Sequence, residues 1–202
     1  MIRSVIRSAF AFLAVMALST PAAAQLRSEG YEFLEAVKDR EGSVVTQMLD
    51  RPGSQVVNTR DLTSGETGLH IVTARRDLQW VRFLLQRGAN ANIADNAGRT
   101  PLIIASELGF VEAVEALVRN GARVDIANST GETPLIAAVH SGNLPLIEAL
   151  VTAGANPDLG DASGRTARDY ASMPGTNPRV LAAIEQNENS DGDGNRTYGP
   201  VF

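Results

Sequence analysis

The stretch GRTPLIIASELG runs from Gly98 to Gly109, and GETPLIAAVHSG follows from Gly131 to Gly142, 33 positions later. On either side, GETGLHIV begins at Gly65 and GRTARDYA at Gly164, each again 33 residues from its neighbour. A second register keeps the same period: Gly88 in LLQRGANAN aligns with Gly121 in LVRNGARVD and Gly154 in LVTAGANPD. Two independent anchors at one fixed period mark a solenoid, whose units cannot bury their apolar faces alone.

Each recurring residue has a physical task. Thr67, Thr100, Thr133 and Thr166 stand where a hydroxyl caps a helix, and Pro101 and Pro134 take the first helical position, where no N–H is missed. A short helix is predicted from there to Gly109 or Gly142, each suited to the left-handed residue that ends a helix. A second helix follows with one apolar column: Leu78, Val81, Leu84, Leu85; then Val111, Val114, Leu117, Val118; then Leu144, Ile147, Leu150, Val151. Gly88, Gly121 and Gly154 end it. The predicted fold class is an all-α repeat solenoid, a stack of helix–turn–helix units joined by hairpin-like loops.

These residues resemble the ankyrin repeat, whose pattern is G-x-T-P-L-H-x-A-A, then a second helix, then an L-L-x-x-G-A ending. The resemblance is clear over about residues 57 to 186. The preceding FLEAVKDREGSVVTQMLDRPGSQVVNTRD reads as a helix pair and a loop, but it lacks T-P-L-H and shifts the period. The domain reading is a signal peptide at 1–24, a repeat domain at 25–186 and a disordered polar tail at 187–202. Within the repeat domain, 25–60 is a degenerate cap and 61–186 holds the clear repeats.

Departures from the pattern carry their own expectations. Arg76 stands where Gly109 and Gly142 turn the chain, so that turn is expected to be strained and Arg76→Gly to raise the melting temperature. Gly68 replaces the proline, leaving the first clear repeat the softest. Arg168 replaces Leu69, Leu102 and Leu135, as suits a terminal repeat that needs a polar side. The helix NPRVLAAIEQ is expected to close the stack with Val180, Leu181 and Ile184 inward. Trp80, aligned with Ala113 and Leu146, reads as packing between repeats.

The N-terminus combines Arg3 and Arg7 without an acid, an apolar run of 11 residues (AFAFLAVMALS) and small residues at Ala22 and Ala24. That is the pattern of a secretory signal peptide cleaved after Ala24, the run being short of the roughly 20 residues that span a bilayer. Periplasmic location in a Gram-negative host is the expectation, with full secretion as the alternative. Cleavage changes the formal charge from −5 to about −7, with 16 basic and 23 acidic side chains left. That balance argues against nucleic acid as a partner and against anionic membrane surfaces. With no cysteine, no disulfide supports the fold.

Chemistry is sparse. Of the two histidines, His70 occupies the T-P-L-H position, where the resemblance implies a structural hydrogen bond between repeats; His140, two residues before Gly142, falls where the resemblance implies exposure on the concave side. No zinc site of His and Cys alone, no G-x-S-x-G and no phosphate loop is present. DGDGN from Asp191 fails as a calcium loop, with Arg196 at its sixth position and Phe202 in place of the bidentate Glu. The expectation is a protein that is not an enzyme, with no catalytic residue, cofactor or metal.

What remains is a surface. The resemblance implies docking on hairpin tips and first helices. Carried over position by position, that face comprises Arg75, Ala94, Asn96, Arg99, Glu107, Leu108, Ser129, Thr130, Glu132, His140 and Ser141, with Glu66, Ala97, Ala127 and Arg165 beside them. Leu108 stands out as apolar at an exposed position. The implied function is a monomeric module that binds another protein and stabilises or inhibits it, as an inhibitor or as partner of an exported enzyme such as a stress-defence oxidoreductase. The alternatives are a multi-partner envelope scaffold and an enzyme with a site built across repeats. The tail reads as disordered by default, with recognition of a free Val201–Phe202 carboxylate by a PDZ-type groove as the minor alternative.

Overall fold

A computed structural model describes residues 22–190, with side chains from 29 to 185. The signal segment up to residue 21, DGDGN and Val201–Phe202 lie outside the described residues. The cap is a helix pair, α1 (Ala22–Lys38) and α2 (Gly42–Leu49), followed by a 3-10 turn at Val56–Asn58. Four further pairs follow: α3 (Gly68–Ala74) with α4 (Leu78–Gln86), and α5 (Pro101–Glu107) with α6 (Val111–Arg119). The last two are α7 (Pro134–Ser141) with α8 (Leu144–Thr152), and α9 (Ala167–Ala171) with α10 (Pro178–Ser190). The first helices α1, α3, α5, α7 and α9 pack in sequence as one layer; α4, α6, α8 and α10 form the other. None of the described helices is long and apolar enough to cross a membrane.

The caps are those expected. The Thr100 hydroxyl accepts from Ile103 N–H at 3.4 Å, Thr133 from Ile136 at 3.2 Å and Thr166 from Asp169 at 3.1 Å. Each satisfies an N–H that the helix itself cannot. Every residue of α5 from Pro101 to Ser106 is buried, as is Pro134 to Val139 of α7, because a first helix lies between two layers of neighbours. Truncating Leu102 or Leu135, both fully buried, therefore opens a cavity of the kind that costs about 2–5 kcal/mol. Val81, Leu84, Val114, Leu117, Ile147 and Leu150 of the second helices are fully buried in the same core. Val180 and Ile184 close it from α10, with Leu181 half-buried beside them; α10 continues to Ser190, past the expected boundary at 186.

His70 clamps two repeats. Its Nδ1 accepts from Thr67 N–H at 3.1 Å and lies 2.8 Å from Thr67 Oγ1, so the proton is on Nε2, which donates to the Arg99 carbonyl at 3.0 Å. Burial pushes its pKa down, against the Arg99 carbonyl contact that favours the charged ring. Trp80 is partly buried and faces Gly42 of α2 across the repeats, where an added Cβ would touch its ring at 3.9 Å, with the Phe83 ring edge-on at 5.7 Å.

The turn at Arg76 is left-handed, φ 58°, like Gly109 at 62° and Gly142 at 63°. Its side chain changes the energetics expected from the sequence. The guanidinium donates to the Leu108 carbonyl of the next repeat and lies 5.0 Å from the Phe110 ring. The strain is thus offset by contacts that glycine cannot make. Arg40 of the cap occupies the same conformation, φ 61°, and pairs with Asp77 at 3.6 Å. The terminal Arg168, half-buried, meets Asp158 at 3.0 Å.

Candidate interaction face

The hairpin tips share one device. Asp95, Asn128 and Asp161 each stand three residues before the tip glycine and accept backbone N–H bonds through Oδ1: Asp95 from Ala97 and Arg99, Asn128 from Thr130 and Glu132, Asp161 from Ser163 and Arg165. Side-chain oxygen replaces the backbone acceptor and holds the turn. Consecutive tips are then pinned by one backbone bond each: Asn96 N–H to Ser64 O at 2.9 Å, Ser129 to Ala97 at 3.0 Å, Ala162 to Thr130 at 2.9 Å. The approach is close enough to require glycine. A Cβ on Gly98 would lie 2.6 Å from Ser129 N, and one on Gly131 would lie 2.7 Å from Ala162 N. The tips form one stiff rail.

Behind the rail the predicted residues divide. Leu108 is 38% exposed, and Ser129, Thr130, His140 and Ser141 are exposed. Ala94 is half-buried. Arg99 is committed to Asp95 by a two-point contact, Nε at 2.9 Å and Nη2 at 2.8 Å, with Glu107 at 3.9 Å. Burial pushes the Asp95 carboxyl up, but hydrogen bonds from Arg99 backbone and side chain outweigh it and hold the group below its usual range. Glu107 goes the other way: burial raises its pKa, and the Arg99 charge does not fully compensate. Glu132 bonds the His140 ring at 3.0 Å; that ring stands edge-on to Tyr170 at 4.5 Å, and the Tyr170 hydroxyl donates to Asp161 at 2.6 Å. This row links the last two repeats.

Two more of the predicted residues, besides Arg99, are used by the fold itself. Asn96 donates to the Thr63 carbonyl at 2.8 Å, so its side chain joins tips. Arg75 is not a free surface residue: its side chain is 17% exposed, donates to the Val37 carbonyl at 2.5 Å and pairs with Asp77 at 3.4 Å, with Trp80 stacked at 5.2 Å. It adds a charged donor at the C-terminus of α1, where the Val37 carbonyl also accepts from Arg40 N–H at 3.3 Å. The motif places Arg75 at the end of a first helix, and only the packing of the cap shows that Val37 awaits it.

The sequence reading missed the N-terminal end of the face. Asp61 stands four residues before Gly65 rather than three, and Asp61 N–H reaches Glu66 O where Asp95 reaches Arg99 O. The first tip is therefore one residue longer, and Leu62 projects with 80% exposure. Tyr31 of α1 is 63% exposed. Between them lies a pocket of about 370 Å³ lined by Tyr31, Leu34, Thr59, Arg60, Asp61, Leu62 and Thr63. The early Asp61 was the available signal.

A helix–turn–helix solenoid with tied hairpin tips defines an all-α repeat protein. Among the described residues no group of three or more His, Asp or Glu is placed to hold a metal ion. The model of the family Ankyrin repeats (3 copies) matches residues 33–128 and 111–189, and the chain belongs to the ankyrin-repeat family. It is similar to human diacylglycerol kinase iota, 31% identical over 74 residues, covering 37% of this chain and 7% of that protein. It is also similar to the Neurogenic locus Notch protein of Drosophila melanogaster, 37% identical over 82 residues, covering 39% of this chain and 3% of that protein. The chain thus spans a small part of either relative. Ankyrin repeats are generally protein-interaction modules.

Proposed function

We propose that this chain is an exported protein-binding module that engages one partner protein through its tips and first helices, and stabilises or inhibits it. The observation that carries the reading is the rail of tips tied by backbone bonds, with Leu108, Ser129 and His140 exposed along it. A face already ordered loses little conformational entropy on binding. Export rests on the signal pattern of residues 1–24, and a periplasmic partner follows from it. The test is affinity capture from periplasmic extract beside a Leu108→Glu/Ser129→Arg variant. One abundant protein captured by wild type and lost with the variant supports the reading. Several proteins retained equally by both would replace it with a scaffold.

A further inference from the structure

Terminal repeats of a solenoid ordinarily present polar outer surfaces, since nothing covers them. Here the N-terminal end does the opposite: Tyr31 and Leu62 are the two most exposed large apolar residues among those described, and they flank the 370 Å³ pocket. A volume of that size admits one large side chain.

The charge of the N-terminal unit is one-sided. Residues 29–67 hold eight acidic and four basic side chains, whereas residues 68–185 hold 12 acidic and ten basic. Three of the four cations in the first group already have acidic partners: Lys38 pairs with Glu35, Arg51 with Glu29 and Arg40 with Asp77. The fourth, Arg60, lines the pocket beside Asp61 and is engaged with the Gly65 carbonyl and Asn96 Oδ1. Asp61 forms part of the pocket wall, Glu32 follows Tyr31 on α1, and Glu66 closes the same hairpin.

We propose that this pocket receives a large apolar side chain from a segment of the partner protein in which lysine or arginine flanks that side chain. The inference rests on the protein-binding reading and adds a chemistry for the partner. The apolar side chain gains by leaving water against Tyr31, Leu34 and Leu62, and the flanking cations meet the excess of carboxylates. The rim charges then set encounter, and the buried anchor sets residence time.

The probe is the peptide Lys-Lys-Gly-Phe-Gly-Lys-Lys, titrated onto the purified chain at low salt and followed by amide chemical shifts. Two comparison peptides replace Phe by Ala, or every Lys by Glu. Shifts should cluster on Tyr31, Leu34 and Thr59 to Thr63. Binding should weaken at least about tenfold for the Ala peptide and for the Tyr31→Ala/Leu62→Ser variant, and vanish for the Glu peptide. Both substituted residues are exposed, so the variant keeps the wild-type melting curve. Equal binding of Phe and Ala peptides would overturn the proposal, leaving charge alone. Shifts centred on Leu108 and His140 would also overturn it while sparing the protein-binding reading. Self-association of the chain, abolished by the variant, would assign the pocket to a second copy instead. Loss of the captured partner with Leu108→Glu/Ser129→Arg tests the broader reading independently.

Discussion

Replacing Arg76 separates two effects that the motif alone confuses. At φ 58° a residue with a Cβ costs about 1–2 kcal/mol relative to glycine. Against that stand the bond from the guanidinium to the Leu108 carbonyl and the contact with Phe110 at 5.0 Å. A charged hydrogen bond contributes about 1.5–3 kcal/mol when shielded, and an exposed side chain such as this one secures about 0.5–1 of it. The cation–π contact adds about 0.5–1 kcal/mol. Arg76→Ala loses the contacts and keeps the strain, so it should cost about 1–2 kcal/mol. Arg76→Gly recovers the strain but loosens the unfolded chain by about 0.4–1 kcal/mol, and should cost about 0.5–1. Urea melts of the three proteins, followed by far-ultraviolet circular dichroism, give the order wild type, glycine, alanine. At about 2–4 °C per kcal/mol the same order appears in melting temperature. A glycine variant more stable than wild type would show that the Leu108 and Phe110 contacts do not offset the backbone strain.

Other perturbations test the rail and the clamp. Gly88→Ala meets no atom within 4 Å at φ 83° and should cost about 1 kcal/mol, whereas Gly98→Ala also drives a methyl against Ser129 N and should cost about 3, by urea midpoint. The depressed pKa of His70 means that the unfolded chain binds the proton more readily. Its contribution is intact above the unfolded value of about 6.5 and is lost as pH falls from there through the folded value. Urea midpoints should drop between about pH 7.5 and 5.5 in wild type, and a His70→Gln variant with the same slope would refute the assignment. Leu108→Glu/Ser129→Arg should leave the melt within about 0.5 kcal/mol of wild type while abolishing capture of the partner.

What was legible in the sequence follows from what repeats. A residue whose task depends on its own unit, such as Thr100 as cap or Gly142 as left-handed turn, recurs every 33 positions and can be counted. The Thr67–His70–Arg99 clamp could be anticipated as well, because the motif that places His70 also implies the neighbour it reaches. Arg75 could not. Its partner, the Val37 carbonyl, ends a helix 17 residues long that the 33-residue period does not describe. Arg40 and Arg76 lie 36 positions apart, so the cap turn falls outside the register that would have matched the two.

The same logic explains where partner specificity resides. Positions that satisfy the stack are fixed by their neighbours on both sides, and Asn96 and Arg99 show how far this reaches: side chains in the binding register are engaged in holding tips and turns. Besides Leu108, a large apolar side chain is left without a structural task where a neighbour is missing or where the register slips. Leu62 is such a residue, pushed outward by the one extra position in the first tip, and Tyr31 stands on a helix that follows no repeat pattern. Shortening that tip by deleting Leu62 should therefore restore the three-residue spacing from Asp61 to the tip glycine that the later tips have. The expected outcome is unchanged or raised stability together with lost binding at the pocket, read by a urea melt and by the peptide titration. Destabilisation by more than about 1 kcal/mol would show instead that the longer tip is required to seat α1.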